Sequence, residues 1–391
     1  MAIRREATAS SISGTRLPAD ARAARETCPV ILSRRQALRL VSLGAGLGFI
    51  GSGRVGGLVG AAYQANPGSA ANALRLPREA IIRTLLKDVP PEALGTGATL
   101  VHEHLSLVNW RDRPPRQPRF FENVDRIVQE VREAGKDGIS CIVDCGHPEM
   151  GRSLAALKRI AAETNVHIVG GAGHYTSESF PAELSRMSDG QLADEMVAEA
   201  TSGHLGVFGE IGSSETITPD ERKVFRAVAR AHVRTGLPII THTFNGAGNT
   251  GKTPLEQLDI LEAGGVNPRH VLIGHLDGLD MPAVHSAVAK RGAFCGFDRV
   301  GFERADRPWE STTTRVRNIL KLLDAGYVDH LILSSDFSAE ENLKSAGGPG
   351  IALTLTQFVP KLRQAGVKEE ILHKTMVDNP RRLIAFVPAK G

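Results

Sequence analysis

Cysteine is scarce in this sequence, with four residues in a chain of 391. That number excludes a disulfide-stapled scaffold, which depends on many cysteines in a short chain. Cys141 and Cys145 would share one face of a predicted strand, but about 13 Å would separate them at 3.3 Å per residue, too far for a bridge. We interpret these two residues and Cys295 as small buried hydrophobic side chains, whereas Cys28 lies in the N-terminal segment.

The body of the chain also lacks the basic surface that a nucleic-acid partner would require. Residues 1–73 hold nine arginines and no lysine against three acids, a net +6, so the remaining chain carries −2 of the overall +4. The remainder has no Lys/Arg-rich stretch with interleaved aromatics, which argues against nucleic-acid binding. A Gly-rich dinucleotide fingerprint after the first predicted strand and a P-loop are absent as well.

Residues 1–73 resemble an export leader. Ser33-Arg34-Arg35 precedes an apolar, Gly-rich run from Leu40 to Ala62, and Ala71-Asn72-Ala73 offers a small-x-small cleavage site. A twin-arginine pair before a modest apolar stretch resembles a Tat signal, although Ala37 stands where that signal usually has an aromatic. A transmembrane anchor and a disordered cytosolic tail are the alternatives, and Arg54 disfavours a stable span. We expect a periplasmic or extracellular protein that touches a membrane only through an uncleaved leader.

Residues 74–391 alternate short apolar runs with amphipathic helical stretches. The runs predicted as strands are 98–101, 139–144, 166–171, 206–211, 238–242, 271–275, 293–297 and 331–336. Nearly continuous apolar runs are typical of parallel strands buried on both faces. We therefore predict one α/β domain over 74–391, a TIM (β/α)8 barrel preceded by the signal segment, with a doubly wound open sheet as the alternative.

Polar residues end five of the predicted strands: His102 and His104 the first, Glu210 the fourth, His242 the fifth, His275 the sixth and Asp336 the eighth. On a strand His102 and His104 share a face, so they could hold one metal ion or be two ordinary hydrogen-bonded histidines. In a barrel all five strand ends meet at one mouth. Burying four imidazoles and two carboxylates together is costly unless something pairs them, and two divalent ions about 3.5–4 Å apart would do so.

This set of residues resembles the amidohydrolase superfamily and, more narrowly, its phosphotriesterase family. The matching phrases are Val101-His102-Glu103-His104-Leu105, Gly209-Glu210-Ile211-Gly212, Thr241-His242-Thr243, Gly274-His275-Leu276-Asp277, Ser335-Asp336 and Asp378-Asn379-Pro380-Arg381-Arg382-Leu383. The resemblance covers residue 76 to the C-terminus. It implies that His102, His104 and Asp336 hold the more buried ion, that His242 and His275 hold the more exposed one, and that Glu210 bridges them.

The bridging position departs from the commonest family pattern. Many members use a carboxylated lysine there, whereas this chain has no lysine between His204 and Ser214 and has Glu210 instead. A glutamate at this place resembles the phosphotriesterase-related branch. The departure therefore selects a subgroup and argues against a direct transfer of phosphotriesterase activity.

The predicted function is hydrolysis by a hydroxide that two metal ions make available near neutral pH. The hydroxide would attack the carbonyl of a carboxyl ester or lactone, with promiscuous phosphotriester hydrolysis as a side activity. Asp336 would accept the proton of the attacking water, or act only as a ligand. The alternatives are a phosphotriesterase proper, an amidase on small acylated amines and, from another class, an exported metal-dependent binding protein without turnover. We expect zinc, with manganese, cobalt or iron as alternatives, a small-molecule substrate, and a homodimer as in many family members.

Three further residues are predicted to contact the substrate or to support the site. Arg299, in a segment that ends the seventh strand and resembles lactonase-type relatives, would lie near the substrate, or else form a surface pair with Asp298. Tyr175 could donate a hydrogen bond to a carbonyl oxygen or only line the wall. Asp277 would orient His275 or a proton shuttle.

Overall fold

The structure is a computed structural model that describes residues 76–107, 123–244, 246, 249–301, 303 and 307–389. The predicted leader over residues 1–73, with its twin-arginine motif, lies outside the described residues. In the part of the chain that the structure describes, no helix is both long and apolar enough to cross a bilayer.

Eight parallel strands form the core of the domain, and each pairs with the next along the chain. They follow a short antiparallel hairpin of β1 (Ile82–Arg83) and β2 (Asp88–Val89). The eight are β3 (Ala98–Glu103), β4 (Ile139–Asp144), β5 (His167–Ala172), β6 (Val207–Gly212), β7 (Ile239–His242), β8 (Val271–Ile273), β9 (Phe294–Phe297) and β10 (Leu331–Leu333). Backbone hydrogen bonds from Asp336 N to His102 O and from His104 N to Phe337 O, both 3.0 Å, join the C-terminal end of β3 to the segment that follows β10.

Helices alternate with these strands, which confirms the predicted TIM (β/α)8 barrel. They are α1 (Val124–Lys136), α2 (Leu154–Glu163), α3 (Asp189–Gly203), α4 (Pro219–Thr235), α5 (Lys252–Ala263), α6 (Pro282–Lys290) and α7 (Thr312–Asp324), with α8 (Val359–Gln364), α9 (Glu369–His373) and α10 (Asn379–Ile384) after β10. Thr218 caps α4, and with Glu221 it forms a capping box. A widened turn, Thr354–Phe358, precedes Pro360 and leads into α8.

Thr253-Pro254 in the sequence predicts an N-cap at Thr253, but α5 begins at Lys252. Gly251 is its N-cap, in the left-handed region at φ 72°. Thr253 therefore lies within the first turn of the helix, and its hydroxyl donates to the carbonyl of Glu215, 2.7 Å away.

Buried hydrophobic side chains fall into two clusters, one inside the barrel and one between the strands and the helices. Successive strand residues alternate between them: Ile240 lies in the inner cluster and Ile239 in the outer one, as period-2 geometry requires. The inner cluster continues into the hairpin and into Leu383–Ala385, which close the N-terminal end of the barrel. There the two ends of the described chain pair, with Ile81 and Phe386 exchanging backbone hydrogen bonds of 2.9 and 3.0 Å.

His285 in α6 makes the stability of this fold depend on pH. The ring is buried, Nε2 donates to the carbonyl of Leu276 at 2.9 Å, and Nδ1 is a buried atom without a hydrogen-bond partner among the described residues. Burial lowers the pKa of His285 from 6.5 to about 4. The unfolded chain takes up a proton below pH 6.5 and the folded chain does not, so the contribution of His285 is complete above pH 6.5 and decreases as the pH falls to 4.

We expect the free energy of unfolding to fall by about 3 kcal/mol more in the wild type than in His285→Gln between pH 7 and pH 4. Glutamine can keep the hydrogen bond to Leu276 but does not titrate. Urea unfolding of both proteins across this range measures the difference. If the difference in the free energy of unfolding between the two proteins stays constant with pH, His285 is not the source of the pH dependence.

Candidate metal centre

Regular alternation along β3 would not aim His102 into the barrel. Its neighbour Val101 belongs to the inner cluster, and on a regular strand adjacent side chains point to opposite faces. The pairing of β3 with β4 shifts register between Leu100 and Glu103. Past this shift His102 faces the barrel axis, where its Nε2 lies 3.1 Å from Oε2 of Glu210. Such irregularities often re-aim side chains next to active sites.

Irregular backbone also positions three other predicted ligands. The pairing of β6 with β7 shifts register between Phe208 and Ile211, around Glu210. His275 and Asp336 adopt left-handed backbone conformations at φ 60° and 52°. Residues other than glycine rarely adopt this conformation, and they keep it only where contacts with the surrounding structure hold them there. The local backbone is therefore bent to bring these groups together.

A single carboxylate contacts all four predicted histidine ligands. Oε2 of Glu210 lies 3.1 Å from His102 Nε2, 2.8 Å from His242 Nδ1 and 3.8 Å from His275 Nε2, and Oε1 lies 3.3 Å from His104 Nε2. Asp336 completes the group, with Oδ1 3.3 Å from His104 Nε2 and Oδ2 3.9 Å from His275 Nε2. The structure thus brings together all six residues predicted from the strand ends.

The six residues form three overlapping sets in which the ligand atoms lie within 4.8 Å of one another. These are His102, His104 and Glu210; Glu210, His242 and His275; and His102, His275 and Asp336. Glu210 is common to the first two sets, which is the arrangement that a bridging carboxylate requires. The assignment of each ligand to one of two ions stays a prediction.

The chemistry of these groups fits a bound cation. His102 Nδ1 lies 2.8 Å from Asp298 Oδ2, and His275 Nδ1 lies 2.9 Å from Asp298 Oδ1. A carboxylate only accepts, so both rings carry the proton on Nδ1 and present the Nε2 lone pair to Glu210. Two acceptors that face each other repel unless a proton or a metal ion lies between them. Divalent ions that accept nitrogen and oxygen ligands fit this set.

Without a metal ion, protons take the place of the cation. Burial lowers the pKa of His104, but its hydrogen bonds with Asp336 and Glu210 outweigh burial and raise it to about 10. Burial would raise the pKa of Glu210, yet the charges of His102 and His242 hold it well below its usual range. Metal binding at these residues therefore has to release protons.

Asp298, which the sequence indicated only as the partner of Arg299 in one of two alternatives, lies in the site. The side chain is fully buried, and besides the two imidazoles its Oδ1 accepts the backbone N–H of His275 at 2.7 Å. Burial would raise its pKa, but the charges of His275 and His102 hold the pKa well below the usual range. Gly274 and Gly296 leave the room it needs, because an added Cβ would come within 3.0 and 2.8 Å of Oδ2.

Asp277 does not orient His275, which corrects the sequence prediction. Its Oδ2 accepts a hydrogen bond from Arg315 Nε at 2.7 Å, and both side chains are buried. Asp298 holds His275 in its place. Because Arg315 follows 38 residues later on α7, no local pattern around Asp277 indicates this ion pair.

Tyr175 and Arg299 both lie against predicted ligands. The Tyr175 hydroxyl is 3.3 Å from both ring nitrogens of His242. Arg299 Nε lies 3.3 Å from Asp336 Oδ2, and its Nη1 donates to Glu310 Oε1 at 3.3 Å. Arg299 therefore belongs to the site and does not form the surface pair with Asp298 that was its alternative.

Comparison with known proteins agrees with this geometry. The model of the phosphotriesterase family matches residues 82–384, and the chain belongs to that family. A phosphotriesterase homology protein from Escherichia coli K12 is 34% identical over 300 residues, which cover 73% of this chain and 97% of that protein. An N-acetyltaurine hydrolase from Danio rerio is 28% identical over 353 residues, which cover 78% of this chain and 98% of that protein.

Among solved structures, a lactonase from Listeria monocytogenes superimposes with a TM-score of 0.69 at 29% identity, covering 78% of this chain and 99% of that chain. The relatives of the present chain include hydrolases, and the phosphotriesterase family is metal-dependent. The protein is therefore a phosphotriesterase-family hydrolase with a candidate His/Glu/Asp metal centre.

Replacing Asp298 with asparagine should weaken metal binding by about 10- to 100-fold. The amide can accept from one imidazole but presents an N–H to the other, so one histidine loses its orientation. Chelator competition with the purified protein measures the affinity. Asp280→Asn is the control, because Asp280 is a half-exposed partner of Arg317 that touches no predicted ligand. Equal affinities in the two variants would contradict the role of Asp298.

Proposed function

We propose that this protein is a binuclear metal-dependent hydrolase that attacks the carbonyl of a carboxyl ester or lactone. The observation that supports it is the Glu210 carboxylate in contact with four histidines. Asp336 and His242 are the most open of the six residues, with side chains 18% and 16% exposed against 3% or less for the others. A substrate would therefore approach from their side.

Divalent ions bound here would polarise the substrate carbonyl and make a water acidic near neutral pH. His102, His104 and Asp336 would hold the more buried ion, His242 and His275 the other, and Glu210 would span both. Asp336 would accept the proton of the attacking water and return it to the leaving group.

Two side chains would assist this reaction. Arg299, 3.3 Å from Asp336 Oδ2, would stabilise the negative charge of that carboxylate. Tyr175 holds its hydroxyl beside His242, where it can donate a hydrogen bond to the substrate oxygen as charge develops on it.

A second candidate is an amidase that acts on small acylated amines. The observation that favours it is the N-acetyltaurine hydrolase relative, which aligns over 78% of this chain. The attack on the carbonyl is the same, but an amine is a poorer leaving group and needs a proton, which Asp336 would supply. Assembly as a homodimer and export through the leader stay predictions.

Elemental analysis of the reconstituted protein should find close to two divalent ions per chain. Glu210→Ala should bind fewer than two, since it removes the carboxylate that would span both ions. Glu215→Ala, a change at an exposed glutamate five residues later, is the control and should keep the wild-type content. Less than about half an ion in the wild type would contradict the two-metal proposal, and unchanged content in Glu210→Ala would show that Glu210 is not the bridge.

A substrate panel distinguishes the candidate reactions. The metal-loaded protein should show its highest kcat/KM on a lactone or aryl ester, and Asp336→Asn should lower kcat on that substrate by about 100-fold or more. A preference for an N-acetylated amine would support the amidase. A preference for a phosphotriester over every carbonyl substrate would overturn the proposal, and no turnover at full metal content would favour a binding protein.

A further inference from the structure

Glu103 lies between two predicted ligands, His102 and His104, but its side chain leaves the site. It is fully buried, and its carboxylate accepts four hydrogen bonds from the segment after β10. Oε1 accepts from Ser334 Oγ at 2.7 Å and Ser335 N at 2.9 Å, and Oε2 accepts from Ser335 Oγ at 2.8 Å and Phe337 N at 2.7 Å. Burying a carboxylate is expensive without such donors, and here all four come from one short segment.

The four donors surround a strained residue. Ser335 precedes Asp336 and Phe337 follows it, so one carboxylate holds the backbone N–H on each side of a residue at φ 52°. A non-glycine residue in this conformation needs neighbouring contacts to keep it there. Asp336 N also donates to the carbonyl of His102, the residue that precedes Glu103.

We propose that Glu103 is a positioning residue that sets the direction of the Asp336 carboxylate and thereby couples the first and last strands of the barrel at the metal centre. The proposal rests on the function proposed above only in giving Asp336 a role in metal binding. Glu103 itself reaches neither the substrate side of the mouth nor the space between Glu210 and the histidines. It acts through the backbone on either side of Asp336.

Glu103→Gln is the informative change because it keeps the size of the side chain. Its amide oxygen can still accept on one side, but its NH₂ group faces the other pair of donors. On either side a serine hydroxyl, of Ser334 or Ser335, can rotate to accept from the NH₂ group, whereas the backbone N–H on that side, of Ser335 or Phe337, cannot. The variant therefore removes one hydrogen bond beside Asp336 and leaves a buried N–H unpaired.

Glu221→Gln is a matched control. Glu221 is also fully buried, and it accepts hydrogen bonds from the backbone and hydroxyl of Ser214, 3.1 and 2.7 Å away, and from Ser177 and Thr218. It flanks no predicted ligand. A general loss of stability should therefore occur in both variants, whereas a change at Asp336 should occur only in Glu103→Gln.

Hydrogen–deuterium exchange on the metal-free full chain is the first measurement. Peptides that contain Ser335 and Phe337 should exchange at least 10-fold faster in Glu103→Gln than in the wild type or in Glu221→Gln. Titration with Co²⁺ is the second, read by visible absorption, which reports coordination geometry. Glu103→Gln should bind one Co²⁺ at least 10-fold more weakly and show an altered spectrum, and Glu221→Gln should match the wild type.

Unchanged exchange in Glu103→Gln would overturn the proposal, and so would faster exchange with wild-type Co²⁺ affinity and spectrum. If the wild type itself binds no pair of Co²⁺ ions, the proposed function fails. The exchange experiment then decides the role of Glu103, and faster exchange confined to Glu103→Gln supports it.

Discussion

The mouth of this barrel depends on one electrostatic constraint: imidazole lone pairs face a buried carboxylate and repel it. Glu210 meets four histidines within 3.8 Å, and Asp298 directs two of them so that their Nε2 atoms point at it. Such a group is stable only with cations or protons between its members. The barrel tolerates this group of polar residues because two hydrophobic clusters pack the strands, and the packing of these clusters does not depend on the residues at the mouth. The apolar body thus supplies the stability, and the polar end carries the chemistry.

The sequence predicted the barrel and the six clustered residues because each depends on a local pattern. Apolar runs buried on both faces identify parallel strands, and polar residues that follow them must meet at one end. The remaining features depend on geometry that no local pattern encodes. The apolar residue Val101 beside His102 gives no sign of the register shift that turns His102 inward. The left-handed conformation of Asp336 is set by contacts with a strand more than 230 residues earlier. The pairing of Asp277 with Arg315 is long-range in the same way.

Buried acids around the mouth share a second task, which is to fasten one loop to the next. Asp144 at the end of β4 accepts the backbone N–H of Leu105 at 2.6 Å, in the loop after β3. Glu149 accepts the backbone N–H of Tyr175 at 2.8 Å. Glu221 accepts the backbone N–H groups of Ser177 and Ser214 and so joins these two segments. Each contact links neighbouring β–α loops through a charge-assisted hydrogen bond, which is stronger than a neutral one. The mouth is therefore built from loops that are linked to one another by these hydrogen bonds.

The backbone pairing of Ile81 with Phe386 has a consequence for how the domain can be attached to other things. Both ends of the described chain meet at the closed face of the barrel, opposite the mouth. A fusion partner, a surface tether or an affinity tag joined after Phe386 would therefore start from the face that substrates do not use. Ends that lie this close are also the usual precondition for circular permutation. In a variant without residues 1–75, a short linker between residues 389 and 76 would let the chain be reopened at a surface loop, with the order of strands around the barrel unchanged.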